Sequence, residues 1–319
     1  MSGRRPRPRM GRIAAWCLLT GFVLVTVLPI LWTARTALST NSAIKRHTEA
    51  IIPPDATTVN FRRVLGTVSR ADTARAGGNP TAKLQIGLAI RNSIVVAVFV
   101  TIGQVLSCSL AAYAFARLKF RGKNALFTLF LTALMIPPIF TVIPNFLLVR
   151  DMKVNFGLFK IGLGWIPWTR AGSGWINTLP GLIAPFFLMT PFAVFFLRQF
   201  FLGVPQEVVE ASVLDGAGHF RRFFQVILPM AAAPMFTLAI ITYVTSWNEF
   251  LWPFVAGREA SVRVINVALN DFKVQTPGSS NPDWTGLMAA TFVSAIPILV
   301  LFGVLGRRVV DSIRFSGIK

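Results

Sequence analysis

Marking every charged residue along the chain leaves six long uncharged and mostly apolar stretches, at residues 13–34, 92–116, 124–149, 171–197, 223–248 and 284–306. Each exceeds the roughly 20 residues with which a helix crosses about 30 Å of hydrocarbon at about 1.5 Å per residue. A span in lipid must satisfy its own backbone, so the pattern predicts an all-α polytopic membrane protein with six transmembrane helices. The first stretch has 22 uncharged residues. That is longer than the roughly 7–15 of a signal-peptide core, and no convincing small-x-small cleavage site follows, so it is expected to remain as a helix. Arg4-Arg5, followed by Pro6 and more arginines, lacks the look of a twin-arginine export signal.

Proline punctuates these stretches at Pro29, Pro137-Pro138, Pro144, Pro180, Pro185, Pro191, Pro234 and Pro297. Membrane helices tolerate some proline, but breaks at depth persist only where protein or a wet cavity satisfies the freed carbonyls, and their number favours a conduit over an inert anchor. In the second stretch Gly103, Ser107 and Ala111 recur at spacings of four, with Cys108, Ala112 and Ala116 on the adjacent row. Small residues at that period let backbones approach closely, which predicts a helix packed deep in a bundle. Between the first two stretches, residues 35–91 carry Pro53-Pro54 and a polar Ala/Arg/Gly run at Ser69 to Gly78, and are expected to form an irregular, partly flexible surface loop. Ile161 to Trp168, with Trp165 and Trp168, is too short to cross and is expected at the headgroup level.

Composition agrees with this picture: the chain is 54% hydrophobic and 14% charged, with a mean hydropathy of +0.61. The formal net charge of +20 would point to nucleic acid in a soluble protein, but the cations lie between the apolar stretches. With six spans both termini share one side, and that side holds 16 Lys and Arg in about 57 residues, against 16 in about 113 on the other. By density the first side is cytoplasmic. The expected organisation is a cytoplasmic tail at 1–12, a first span at 13–34, an extracytoplasmic loop at 35–91, a five-span core at 92–306 with a cytoplasmic loop at 203–229, and a cytoplasmic tail at 307–319. Cys17 and Cys108 fall inside predicted spans without metal-ligand spacing.

The cytoplasmic loop is the most informative segment. Pro205 followed by Glu207 starts a helix, because proline there loses no needed bond and an early carboxylate meets the positive end of the dipole. Gly216 and Gly218 permit a tight turn, and a second short helix bearing Phe220, Phe223 and Phe224 leads to Pro229 and the fifth span. The segment resembles the signature loop of binding-protein-dependent ABC (ATP-binding-cassette) importer permeases, with Glu210, Ala211, Gly216, Leu228 and Pro229 matching in type and spacing. Ser212 and Val226 depart from that pattern by small changes of size. Arg91-Asn92-Ser93, Ala111 to Gly122, Trp247-Asn248-Glu249-Phe250 and the tail Ser316 to Lys319 are similar to the carbohydrate branch, near the smaller membrane subunit of maltose-type importers. The stretches Ser69 to Gly78 and Gly162 to Trp175 look like additions to that pattern.

The resemblance implies a type I ABC importer permease architecture in a bacterial or archaeal plasma membrane. It implies a second permease subunit, two copies of an ATPase that bind ATP and Mg, and an extracytoplasmic solute-binding protein. This chain would itself hold no cofactor, catalyse nothing and bind no nucleic acid. The loop, with Glu207, Glu210, Ala211, Asp215, Gly216, Leu228 and Pro229, would sit against the ATPase. Glu210 either contacts the ATPase or is a solvated carboxylate supporting its helix, Asp215 either does the same or only forms the turn, and Arg221 and Arg222 face either the ATPase or anionic lipid. Glu249 is the one carboxylate at the edge of a span, so it either lines a sugar path beside Trp247 and Asn248 or lies at the outer interface, with Trp247 and Trp252 as belt anchors. His47 and His219 are the only histidines, which excludes histidine-based metal sites and triads, and Gly122-Lys123-Asn124 is no phosphate-binding loop. A permease for a non-sugar solute and, more remotely, an ion-coupled secondary transporter are the alternatives.

Overall fold

The computed structural model describes residues 9–75, 85–151, 174–274 and 283–316, and among them it is entirely helical and turn, with no strand. The chain forms α1 (Arg9–Ala37), α2 (Asn41–Arg46), α3 (Val59–Val64), α4 (Arg70–Arg75), α5 (Ile86–Arg117), α6 (Lys123–Thr132), α7 (Val142–Asp151), α8 (Leu179–Phe187) and α9 (Pro191–Leu202). It continues through α10 (Gln206–Leu214), α11 (His219–Arg222), α12 (Leu228–Met230), α13 (Ala232–Asn248), α14 (Leu251–Ala256), α15 (Ile265–Val274) and α16 (Trp284–Ser316). Contacts divide it into one unit of Met1–Ile86 with Leu269–Ala295 and another of Gly87–Ala268 with Ile296–Lys319.

Three helices, α1, α5 and α16, are long and apolar enough to span a bilayer unbroken. The other three expected spans are bent pairs: Lys123–Met135 with Pro138–Asp151 at 94°, Leu179–Phe187 with Pro191–Leu202 at 48°, and His219–Met230 with Ala232–Asn248 at 80°. Counting each pair as one span gives six among the described residues. The breaks fall at Pro137-Pro138, at Thr190-Pro191 and at Ala231, while Pro29, Pro185 and Pro297 lie inside helices. The sixth span is helical as far as Ser316, well into the segment expected as a tail.

Why Pro185 leaves α8 intact is visible in its neighbours. Proline has no N–H, so the carbonyl four residues earlier, on Gly181, loses its partner in the helix. The buried Trp252 indole donates to that carbonyl at 3.2 Å. The break between α8 and α9 is satisfied by α5: the Gln104 amide donates to the Phe186 carbonyl at 2.9 Å, and the buried Cys108 sulfur accepts from the Thr190 N–H at 3.3 Å. Trp247 and Trp252 are therefore core residues, 3% and 2% exposed, rather than belt anchors. Sequence position left an interfacial place as one of two alternatives; hydrogen-bonding demand and packing hold them inside.

The small-residue row on α5 acts as its spacing suggests. Cys108 and Ala112 are fully buried, and a Cβ built on Gly103 would lie 2.5 Å from both the ring and the carbonyl of Phe187. Gly103→Leu is expected to cost about 1–3 kcal/mol or more through overpacking, read as a large loss of monodisperse protein after detergent extraction. A normal yield would contradict this packing.

The segment after α1 is more ordered than its composition suggested. It contains α2, α3 and α4, and within the first unit Asn60 donates to the carbonyls of Ala37 and Ser39 at 2.9 and 2.7 Å. Buried amides and a buried ion pair hold these short helices together beside buried Ala37, Ala43 and Val64. The expected interfacial stretch Ile161 to Trp168 lies outside the described residues, and of the tryptophan-rich run only Gly174 and Trp175 are described, Trp175 being buried.

Candidate functional site

The segment from Pro205 to Pro229 folds as a helix, a tight turn and a second helix. Pro205 stands at the N-cap of α10 with φ −55 and ψ 134, one residue earlier than expected, and Glu207 occupies the first turn, where its charge meets the exposed N–H groups. At the other end Gly216 has φ +73, the Gly216 N–H donates to the Val213 carbonyl at 3.0 Å, and the Ala217 N–H donates to the Ser212 carbonyl at 3.0 Å. These bonds are the two of a Schellman termination, which uses a left-handed glycine to stop a helix sharply. Gly218, at φ −67, needs no such freedom.

The exit is less regular. Residues Phe223–Ile227 form a π-helical turn just before Pro229, whose ring would crowd the carbonyl four residues back in an ordinary α-turn. Phe223 and Ile227 are buried, and half-buried Leu228 packs on the same cluster, which anchors the exit in the core formed by α5 and α9. Leu214 and Phe220, by contrast, are 89% and 76% exposed, and Val213 and Phe224 also face outward. Glu207, Glu210, Ala211, Asp215, Gly216 and Pro229 are all exposed. The result is a rigid element that presents apolar knobs and three carboxylates away from the bundle. Asp215 sits at the C-cap, where the helix dipole disfavours a negative charge, so α10 itself gains nothing from it. Arg222 folds back onto the Ala217 carbonyl at 3.0 Å, and Arg221 pairs with Gln225 at 2.9 Å.

Residues that the sequence marked only as positive charges tie this element to the bundle. Arg117, the last residue of α5, donates to the carbonyls of Phe201 and Val204 and, at 3.0 Å, to the Gln206 side chain. Gln206 in turn donates to the Glu210 carboxylate at 3.1 Å. From the other side Arg198 of α9 donates to the Phe115 carbonyl at 3.2 Å and stacks over the Phe127 ring at 4.2 Å. At the exit, the Tyr113 ring packs 5.2 Å from that of Phe223. No sequence signal separates Arg117 from the neighbouring cations, because its partners lie about 85 residues away.

A second feature is a cavity of about 300 Å³ within the larger unit, lined by α5, the α8–α9 break, α13 and α14. Its polar lining includes Ser93, Gln104, Thr190, Thr242, Thr245 and Glu249. Among the described residues that line it, Glu249 is the only charged one, and the others are largely apolar. One Glu249 oxygen accepts from the N–H groups of Leu251 and Trp252 at 3.1 and 3.3 Å, which caps α14 and holds the carboxylate at the cavity wall. Of the three residues expected on a path, the structure brings Glu249 to the cavity. Trp247 is buried and stacked on Tyr243, with its carbonyl accepting from Asn266, and Asn248 bonds back to the Val244 carbonyl of its own helix. Among the described residues no group of three or more His, Cys, Asp or Glu could hold a metal.

Residues 103–315 match the family model described as the binding-protein-dependent transport system inner membrane component. The chain is 31% identical over 236 residues to the diacetylchitobiose uptake system permease protein NgcG of Streptomyces coelicolor, covering 74% of this chain and 70% of that protein. It is 28% identical over 228 residues to the sn-glycerol-3-phosphate transport system permease protein UgpE of Yersinia pestis, covering 72% of each. The fold is similar to a chain in the crystal structure of a bacterial ABC transporter involved in the import of the acidic polysaccharide alginate, with a TM-score of 0.71 at 20% identity, covering 96% of this chain and 99% of that one.

Proposed function

The chain belongs to the family of binding-protein-dependent transport system inner membrane components, and from that premise we propose that it is a permease subunit of an ATP-driven sugar importer. It is a multi-pass membrane protein and a transport subunit rather than an enzyme. In this reading it forms half of the translocation path with a second permease, and the Pro205–Pro229 element seats in two-copy ATPase partners, where ATP and Mg bind. An extracytoplasmic binding protein delivers the solute, and both termini face the cytoplasm.

The observation that carries the reading is the outward-facing helix-turn-helix, with Leu214 and Phe220 exposed at its tip while its exit is buried in the bundle. Large apolar side chains this exposed, on an element that also presents three carboxylates, fit a protein partner. Hydrogen bonding from Gln206 keeps Glu210 on the same face for a polar contact. A sugar is favoured over an anionic solute such as sn-glycerol 3-phosphate. No cation stands among the described cavity residues to balance a phosphate, whereas hydroxyls, an amide and the Glu249 carboxylate suit sugar hydroxyl groups.

Affinity purification of the tagged chain in mild detergent is expected to recover a nucleotide-binding subunit and a second permease in fixed ratio. Recovery of the chain without any nucleotide-binding subunit would sink the reading.

A further inference from the structure

The loop is joined by the chain to α9 and α13 alone, so a push from a partner would act directly on those two helices. Its hydrogen bonds add a third. The Arg117 guanidinium at the end of α5 reaches the carbonyl of Phe201 in the last turn of α9 and that of Val204 in the link to α10. The same group also grips Gln206, the first residue of α10. A planar fork with five donors can hold several acceptors in one geometry, which an ammonium cannot do. Arg198 returns a bond from α9 to α5, and Tyr113 packs against the exit of the loop at Phe223. Both ends of the element are therefore fastened to the last turn and a half of α5. That helix also lines the cavity through Ser93 and Gln104, about 16 Å apart along its axis.

We propose that Arg117 is a positioning residue that makes α5 part of the lever, so that displacement of the Pro205–Pro229 element reaches the cavity through α5 as well as through α9 and α13. The proposal rests on the reading of that element as the ATPase contact. It assigns Arg117 no contact with solute or nucleotide. Its work is mechanical: charge-assisted bonds are short and directional and hold the end of α5 to the start of α10 in one geometry, whereas apolar burial is non-directional. The relay from Arg117 through Gln206 to Glu210 also fixes the carboxylate that faces the partner.

The test reads the cavity directly and needs no known solute. Thr245, which is exposed and lines the cavity, is replaced by cysteine in a chain carrying Cys17→Ser, with Cys108 buried. The assembled complex is then labelled with a small methanethiosulfonate reagent, with and without MgATP and vanadate. In the complex with native Arg117, trapping is expected to change the labelling rate about tenfold, and Arg117→Ala is expected to reduce that change to about twofold or less while ATP hydrolysis continues. Arg117→Lys restores part of the response. Gln206→Ala, which spares the end of α9, gives an intermediate value and decides the matter if Arg117→Ala fails to assemble. A full response in the Arg117→Ala complex, or in Gln206→Ala when that variant decides, overturns the proposal. A complex with native Arg117 whose labelling ignores nucleotide overturns instead the reading of the loop on which it rests.

Discussion

Gly216→Trp is expected to abolish nucleotide-dependent uptake while leaving the chain inserted and folded, and Gly216→Asn is expected to retain most of it. Gly216 has φ +73, and a Cβ built there meets nothing within 4 Å of this chain. A side chain at this position therefore costs only the backbone term, about 1–2 kcal/mol for an ordinary L-residue in the left-handed region. Asparagine adopts that region more readily than other side chains, so it pays less. Tryptophan pays the backbone cost and then projects its ring into the open space beside Leu214 and Phe220, where the proposed partner lies. The three-way comparison of Ala, Asn and Trp separates strain from obstruction: strain alone ranks Asn above Ala and Trp together, and obstruction sets Trp apart. Co-purification of the nucleotide-binding subunit and uptake into vesicles are the two readouts. Wild-type uptake by the tryptophan variant would remove the loop from the ATPase interface.

The apolar pattern marked each of the six candidate spans among the described residues, because hydrocarbon imposes one requirement on every span and hydropathy records it. It did not locate the bends. Pro185 and Pro191 look alike in sequence, yet one lies inside α8 and the other starts α9. The difference is the Trp252 indole that meets the Gly181 carbonyl, supplied from 71 residues away. Likewise, Gly216 was legible as a turn because the left-handed region selects for glycine locally, whereas Arg117 was not, since a cation at the end of a span serves equally well as a lipid anchor. Glu249 was recognisable as costly for a span, and its place at the cavity follows from its capping bonds to α14, a helix too short to be expected from periodicity.

The same contrast between local and distant partners governs the first unit, where the largest loss of stability is expected from Asp283→Ala. Asp283 and Arg63 pair with side chains only 4% and 6% exposed. The carboxylate also accepts from Asn41 at 2.9 Å, from Thr285 at 3.1 Å and from the Gly286 N–H at 2.9 Å, so it caps α16 as well as neutralising the arginine. Asn60 closes the cluster, accepting from Arg63 at 3.1 Å and lying 3.2 Å from the Thr285 hydroxyl, whose single proton it shares with Asp283. Removing one member of a buried pair strands the other charge at a cost of about 3–5 kcal/mol, and losing the cap adds about 1 kcal/mol. Asp283→Asn keeps an oxygen for the cap but loses the charge, so it is expected to fall between alanine and the wild type. Arg63→Met is milder than Asp283→Ala, because the remaining carboxylate still has three donors and the cap on α16 is kept. Limited trypsin digestion at Lys45 and Arg46, with thermal unfolding of the detergent-solubilised chain, checks the order: cleavage accelerates and unfolding shifts to lower temperature from wild type through Asn to Ala. An alanine variant as resistant as the wild type would mean that α2 and α3 are held to the start of α16 by something other than this pair.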